Sequence, residues 1–311
     1  MTVLVTGGAG FIGSHLVDQL VNEGYNVRVI DDLSTGKMAN IQRHLDSGKV
    51  DFIKGDVRNS AIVQACAHGV DAVVHLAAIA SVPFSVDNPD LTYETNVAGT
   101  ANLLIASAKE KVLKFVFVSS CAVYGEPRYL PVDENHTRNP LSPYAESKLA
   151  AEQFCLGFHE KHLLKSTVLR FFNVYGPRQS VNDYSGVITR FINRARHSLS
   201  LVIHGDGSQI RDFVYVSDAV NAILCSLKSQ TADGEVFNIG FGKPTSIYEL
   251  AKTVLELAGL DAAVSYDKPR LGDIKVSYAD ISKAERLLGY RPVFSLVNGL
   301  RALLEEKIVI N

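Results

Sequence analysis

Tyr144 and Lys148 stand four residues apart in the run Ser142-Pro-Tyr-Ala-Glu-Ser-Lys148. On a helix that spacing puts the phenol and the ammonium on one face. Pro143 suits a first helical turn, with Ser142 as its cap. A neighbouring cation stabilises phenolate and moves a tyrosine pKa from ~10 toward neutrality, as a general base requires. In isolation such a pair reads as a surface contact, and it gains meaning only beside a redox cofactor. Upstream, Ser119-Ser120-Cys-Ala-Val-Tyr-Gly125 ends an apolar run that begins near Phe115. A serine at such a strand end can bond a substrate hydroxyl and the tyrosine, or simply cap a turn. Arg211, in Ile210-Arg-Asp-Phe213, and Arg270, in Arg-Leu-Gly-Asp273, suit a diphosphate, because guanidinium forks grip phosphate oxygens better than lysine does. Asp273 could take ribose hydroxyls. Surface ion pairs are the plain alternative for each arginine.

The elements that must position these groups begin at the first residues. Val3, Leu4 and Val5 form an apolar run without alternation, as in a strand buried on both faces. The run breaks into Gly7, Gly8, Gly10 and Gly13, and then Phe11, Ile12, Leu16, Leu20 and Val21 follow at helical spacing. Strand, glycine turn and helix together bring backbone N–H groups against a pyrophosphate at the positive end of the helix. A second strand, Val27–Ile30, ends at Asp31 and Asp32. An acid at that place bonds both hydroxyls of an adenosine ribose and repels a 2′-phosphate, so the expected cofactor is NAD rather than NADP.

Buried-strand patterns recur at Val50–Ile53, Ala72–Leu76, Phe115–Ser119 and Thr167–Phe172, with helical patterns between them at Asn96–Lys111 and Tyr144–His162. This alternation predicts an α/β fold, a doubly wound parallel sheet of the Rossmann kind. After Asn173 the loops lengthen and become rich in Gly, Pro and Asp. Helices are expected at Val187–His197, Ser217–Leu227, Ile247–Ala258 and Leu296–Glu305, and a strand at Val236–Ile239. The expected organisation is an NAD-binding domain of 1–173 plus about 212–239. A smaller mixed α/β domain, about 174–211 and 240–311, would cap the strand ends. The apolar Ile308-Val-Ile310 has no assigned role.

Bulk properties narrow the classes. Of 311 residues, 47% are hydrophobic and 21% charged, which is ordinary globular composition. A net charge of −2 gives no basic field for nucleic acid or an anionic membrane. No apolar run approaches a membrane span, and the glycine turn occupies the place of a signal peptide's apolar region, so a cytoplasmic protein is expected. Cys66, Cys121, Cys155 and Cys225 are scattered without a C-x-x-C, and His159 and His162 lack a third ligand, so no metal site is expected. His75 ends a buried run and reads as a core histidine.

Together these motifs resemble the extended short-chain dehydrogenase/reductase family. The similarity is greatest to its branch of UDP-galactose 4-epimerases and their UDP-N-acetylglucosamine-acting relatives. It runs the whole length: TGGAGFIG from Thr6, GDV at 55–57, HLAA at 75–78, ETNVAGT at 94–100, SSCAVYG, SPYAESK, RFFNVYGPR at 170–178, IRDFVYVSD, FNIG and RLGD. The resemblance implies that Gly7, Gly10, Phe11, Ile12 and Gly13 form the pyrophosphate loop and that Asp31 is the ribose ligand. Asp32, Ser34, Thr35 and Gly36 would lie beside that ribose, and Asp56 and Val57 at the adenine. Leu76, Ala77, Ala78, Asn96, Ser119 and Phe171 would line the cofactor along with Tyr144 and Lys148. Ser120, Tyr144 and Lys148 would be the catalytic set. Asn173, Val187, Arg211, Arg270 and Asp273 would hold the UDP.

The implied reaction is NAD-dependent epimerisation of a UDP-hexose at C4. Tyr144 takes the 4-OH proton, C4 gives up hydride, and the 4-keto sugar turns over while the UDP stays anchored. Related dehydratases and decarboxylases carry a Glu where this chain has Ala122. The alternatives are another nucleotide-sugar epimerase or reductase, for instance on UDP-glucuronate, and a non-catalytic NAD-sensing relative. Ser277, four residues after Asp273, matches a position whose small side chain leaves room for an N-acetyl group. The resemblance also implies a homodimer through a four-helix bundle of segments 96–111 and 144–162, with Leu103, Leu104, Phe154 and Phe158 partly between subunits.

Overall fold

The computed structural model describes residues 1–180, 186–261, 263–269 and 273–305. Seven strands form one parallel sheet: β1 (Thr2–Thr6), β2 (Asn26–Asp31), β3 (Val50–Lys54), β4 (Ala72–His75), β5 (Lys114–Ser120), β6 (Ser166–Phe171) and a last one at Val236–Ile239. From one edge, that last strand is followed by β6, β5, β4, β1, β2 and β3. The order reverses between β1 and β4, which opens a crevice at their carboxyl ends.

Successive side chains of a strand point to opposite faces, so a strand covered on both faces must be apolar throughout. Val3 and Val5 belong to one core, with Leu16, Val17 and Leu20 of α1 (Phe11–Asn22), whereas Leu4 belongs to the other, with Leu103, Leu104, Phe115 and Phe117. The helices that cover the second face include α3 (Ser60–Ala67), α6 (Gly99–Lys109) and α7 (Pro143–Glu160). Between α1 and α3 lies α2 (Gln42–Asp46), and between α3 and α6 come α4 (Val82–Asp87) and α5 (Pro89–Tyr93). The helix expected from Asn96 begins as one widened turn of π-helix, Glu94–Ala98, before α6. Leu103 and Leu104 are fully buried within the chain, which corrects their expected place between subunits.

Beyond β6 the strands are short. β7 (Asn173–Tyr175) pairs in parallel with β10 (Phe213–Tyr215); β8 (Leu201–His204) pairs in parallel with β13 (Val264–Asp267); β9 (Ile210–Arg211) pairs antiparallel with β12 (Thr245–Ser246). The strand Val236–Ile239 of the main sheet is thus β11. Helices α8 (Val187–Arg196), α9 (Val216–Lys228), α10 (Ile247–Ala258), α11 (Ser282–Leu288) and α12 (Leu296–Glu305) complete the chain. α10 has a reciprocal capping box, Ser246 with Glu249, and ends at Gly259 in the left-handed conformation. Residues 308–310 lie outside the described residues.

Candidate active site

At the crevice, α1 starts at Gly10 without any side-chain cap. Its first N–H groups are therefore open to an anion. Gly7 has φ +68°, and a Cβ there would come within 2.9 Å of the Ala77 backbone nitrogen. At Gly13 a Cβ would stand 2.1 Å from the Gly7 carbonyl oxygen, so both positions need glycine. Leu76 and Ala77 follow β4, and their N–H groups donate to the Thr6 hydroxyl, which fixes the 76–78 segment beside the turn.

Asp31, at the end of β2, is buried. One carboxylate oxygen accepts the Ala9 N–H at 2.9 Å and the other the Leu33 N–H at 2.8 Å. Burial raises its pKa, against the pull of those two donors. Asp32 is exposed and accepts the Ser34 N–H and hydroxyl, and Thr35 is exposed beside it; a Cβ at Gly36 would meet the Asp31 carboxylate. Arg58 grips Asp56 through Nε at 2.8 Å and Nη2 at 2.6 Å and holds its carboxyl below the usual range.

Tyr144 and Lys148 sit in the first turns of α7, whose N-cap is Ser142, accepting the Ala145 N–H at 3.2 Å. Ser120 ends β5 in register with Phe171 of β6, and its hydroxyl caps the next turn through the Ala122 N–H. Burial pushes the Tyr144 phenol up to about 12; a hydrogen bond with Ser120 opposes this, and neighbouring Cys121 adds to it. Here the structure corrects the expectation from spacing. Lys148 is itself buried, pushed down to about 8 mainly by desolvation, and its ammonium lies over the Phe117 ring, 4.4 Å from the centroid. Burial therefore favours the neutral phenol of Tyr144.

Cys121 follows Ser120 directly in sequence. Burial raises its thiol to about 12, and its electrostatic neighbours include Arg211 and Asp212. Arg211 pairs with Asp273 and donates to the Ile210 carbonyl. Asp273 lines a cleft of about 740 Å3 with Gln209, Tyr266 and Lys275. Asn173 donates to the Asp212 carbonyl at 2.9 Å, and Val187 begins α8. The Ser277 N–H donates to the Ile210 carbonyl, next to Arg211, and the residue is buried. Arg270 lies outside the described residues.

A family model described as the NAD dependent epimerase/dehydratase family matches residues 3–240. The chain belongs to that family. A UDP-glucose 4-epimerase of Mycolicibacterium smegmatis is 37% identical over 307 residues, covering 98% of each chain. The crystal structure of a UDP-glucose 4-epimerase from Thermotoga maritima with UDP-glucose matches with a TM-score of 0.93 at 40% identity, covering 98% of both chains. A UDP-N-acetylglucosamine 4-epimerase from Methanobrevibacter ruminantium, in complex with UDP-N-acetylmuramic acid, matches with a TM-score of 0.93 at 38% identity, covering 97% of this chain and 96% of that one.

NAD, the cofactor of this epimerase/dehydratase family, fits the groups described. The uncapped helix start and the glycine cradle suit its pyrophosphate. Each Asp31 oxygen takes one backbone N–H and keeps a lone pair for a ribose hydroxyl. Three expected cofactor residues instead turn their side chains elsewhere. Asn96 is buried and exchanges bonds with the Ile79 backbone while donating to Ser147, so it is a strut between the 76–79 segment and α7. The Ser119 hydroxyl is committed to Glu152. Val57 packs its side chain toward Gly99. His75 is the satisfied core histidine expected, bonded to the Thr6 and Thr100 hydroxyls.

Sequence reasoning missed Asn40, which donates to the Ala9 carbonyl and pins the loop after Asp32 on the glycine turn. It also missed Asp212, which accepts N–H groups from Phe241, Gly242 and Ala279 and is raised by burial to about 6. The only signal for Asp212 was its place next to Arg211.

Proposed function

We propose that this chain interconverts the C4 epimers of a UDP-hexose: UDP-glucose with UDP-galactose, and UDP-GlcNAc with UDP-GalNAc. One observation carries the reading. Ser120, at the carboxyl end of β5, meets Tyr144 of α7 at the end of the parallel sheet where ligands of such folds bind. The names of the similar epimerases support it. Arg211, with Asp273 and Arg270, holds the nucleotide and leaves the sugar free to present either face. Tyr144 takes the proton of the 4-hydroxyl and later returns one, with Ser120 sharing the hydrogen bond. NAD, when bound, supplies a reversible hydride acceptor whose cationic ring adds the positive charge that lowers a phenol pKa. A small residue at 277 admits the N-acetyl group.

In this reading, 1–173 with about 212–239 form the NAD-binding part, and about 174–211 with 240–311 the sugar-nucleotide part. A homodimer would use the outer faces of α6 and α7, where Ile105 is 58% and Phe154 44% exposed. The deciding experiment incubates purified protein separately with UDP-glucose and UDP-GlcNAc and identifies the products. Both C4 epimers are expected; no product from either would overturn the proposal.

A further inference from the structure

A sheet covered on both faces should be apolar inside, yet Ser119, Arg170 and Asn238 occupy one register row across β5, β6 and β11. Glu152 of α7 meets this row from above. It lies four residues after Lys148 and eight after Tyr144, so the three share one helix face. Arg170 and Glu152 are each about 1% exposed. Arg170 donates from Nε to both Glu152 oxygens, at 3.0 and 3.2 Å, and from Nη2 at 2.7 Å. Its Nη1 donates to the Tyr124 hydroxyl at 2.9 Å, which donates to the Asn238 side-chain oxygen at 2.6 Å. The Ser119 hydroxyl donates to Glu152.

We propose that Glu152, Arg170 and Tyr124 are positioning residues that fix the helix carrying Tyr144 and Lys148 against the strand end carrying Ser120. The inference rests on the reading of those three as the catalytic set.

A buried ion pair is a poor device for stability, since apolar residues of similar volume serve as well. Its geometry is another matter. The buried residues of α7 are Ala145, Ser147, Lys148, Ala151, Glu152 and Cys155. None of these is a large aliphatic or aromatic knob, and the larger chains of α7 that reach the cores, Leu149, Leu156 and Phe158, are only partly buried, so apolar packing defines the rotation and height of α7 less closely than a fork does. The forked pair defines both. It reaches the other side of the site as well, because Ser119 adjoins Ser120 and Tyr124 closes the turn that Ser120 caps. The negative charge of Glu152 also opposes the loss of the Lys148 proton that burial favours.

The test replaces the pair with apolar chains of similar length, Glu152→Met with Arg170→Met, in the full NAD-loaded protein, beside Tyr144→Phe. The expected double variant is folded, with normal NAD content and a KM within threefold of the parent, and kcat lower by about ten- to a hundredfold. A merely structural pair would leave kcat within twofold once the fold is retained, and that result overturns the proposal. Should the double variant fail to fold, Tyr124→Phe decides: kcat reduced threefold or more at unchanged KM supports positioning, and a smaller reduction overturns it. Tyr144→Phe separates the two levels. If it keeps normal turnover, the catalytic reading itself has failed; if it is inactive while the positioning variants are normal, only this inference has.

Discussion

Around the Gly7–Gly13 turn the chain offers mostly backbone: an uncapped helix start, a carbonyl where a Cβ would collide, and an acid held by two amide donors. Around α7 and across β9 and β10 it offers side chains instead: Tyr144, Lys148, the Glu152–Arg170 fork, the Arg211–Asp273 pair and the Asp212 clamp. Backbone sites suit what every ligand of one class shares, which in the proposed reading is a dinucleotide's pyrophosphate. Side-chain sites decide which bond reacts and which sugar fits, and they can change without altering the sheet. Substitutions should therefore be severe and narrow at the side-chain end, and milder where the backbone shares the load.

The largest effect should come from Tyr144→Phe. The ring packs as before, so fold and NAD content stay normal, while turnover falls by roughly 10²–10⁴-fold. Turnover close to the parent would remove Tyr144 from its role. Next comes Ser277→Tyr. If Ser277 lines the sugar pocket as proposed, a ring there takes the space an acetamide would need, and overpacking a rigid site costs ~1–3 kcal/mol, about five- to 150-fold. Turnover of UDP-GlcNAc should fall by that factor or more while UDP-glucose is spared. Equal losses on the two substrates would place Ser277 outside the sugar pocket.

The same contrast explains what was legible in advance. The parallel sheet, the glycine turn and Asp31 are local patterns, so the strands fall within one or two residues of their expected places and Val236–Ile239 matches outright. The short pairs are not local. β9 pairs with β12 through two residues on each side, and β8 with β13 across more than sixty positions, too little pattern to announce a strand. Spacing placed Tyr144 and Lys148 on one helix, but it could not show that the ammonium lies over Phe117 and that burial drives the phenol upward. Asn96 and Ser119 match cofactor positions by motif. Their side chains are spent on holding segments together, a fact only long-range contacts reveal.

Asp31→Ala sharpens the comparison at the backbone end. The glycine cradle and helix start remain, so the protein should still bind NAD, several-fold more weakly, while its preference over NADP erodes by about tenfold. Equal binding of NAD and NADP by the parent protein would contradict the ribose role of Asp31.

The smallest effect is on stability, at a residue between the two regions. His75 bridges Thr6 of β1 and Thr100 of α6 through its two ring nitrogens, at 2.7 and 2.9 Å, and packs near Phe115 and Phe117. Burial pushes its pKa down to about 3, and the Lys148 charge adds to the shift. The unfolded chain takes up this proton near 6.5, the folded chain only near 3, so between those values the unfolded state binds more protons. The contribution is present in full above about 6.5 and is lost progressively as pH falls toward 3. From pH 7 to 4.5 the loss amounts to roughly 2–3 kcal/mol. His75→Asn keeps a polar group there and removes the titration. It should be less stable than the parent at pH 7, and the gap should narrow or close at pH 4.5, measured by urea unfolding at both. A gap that stays constant between the two would mean that His75 already takes its proton in the folded chain, and that the core between the two ends of the cleft is wetter than the contacts of His75 indicate.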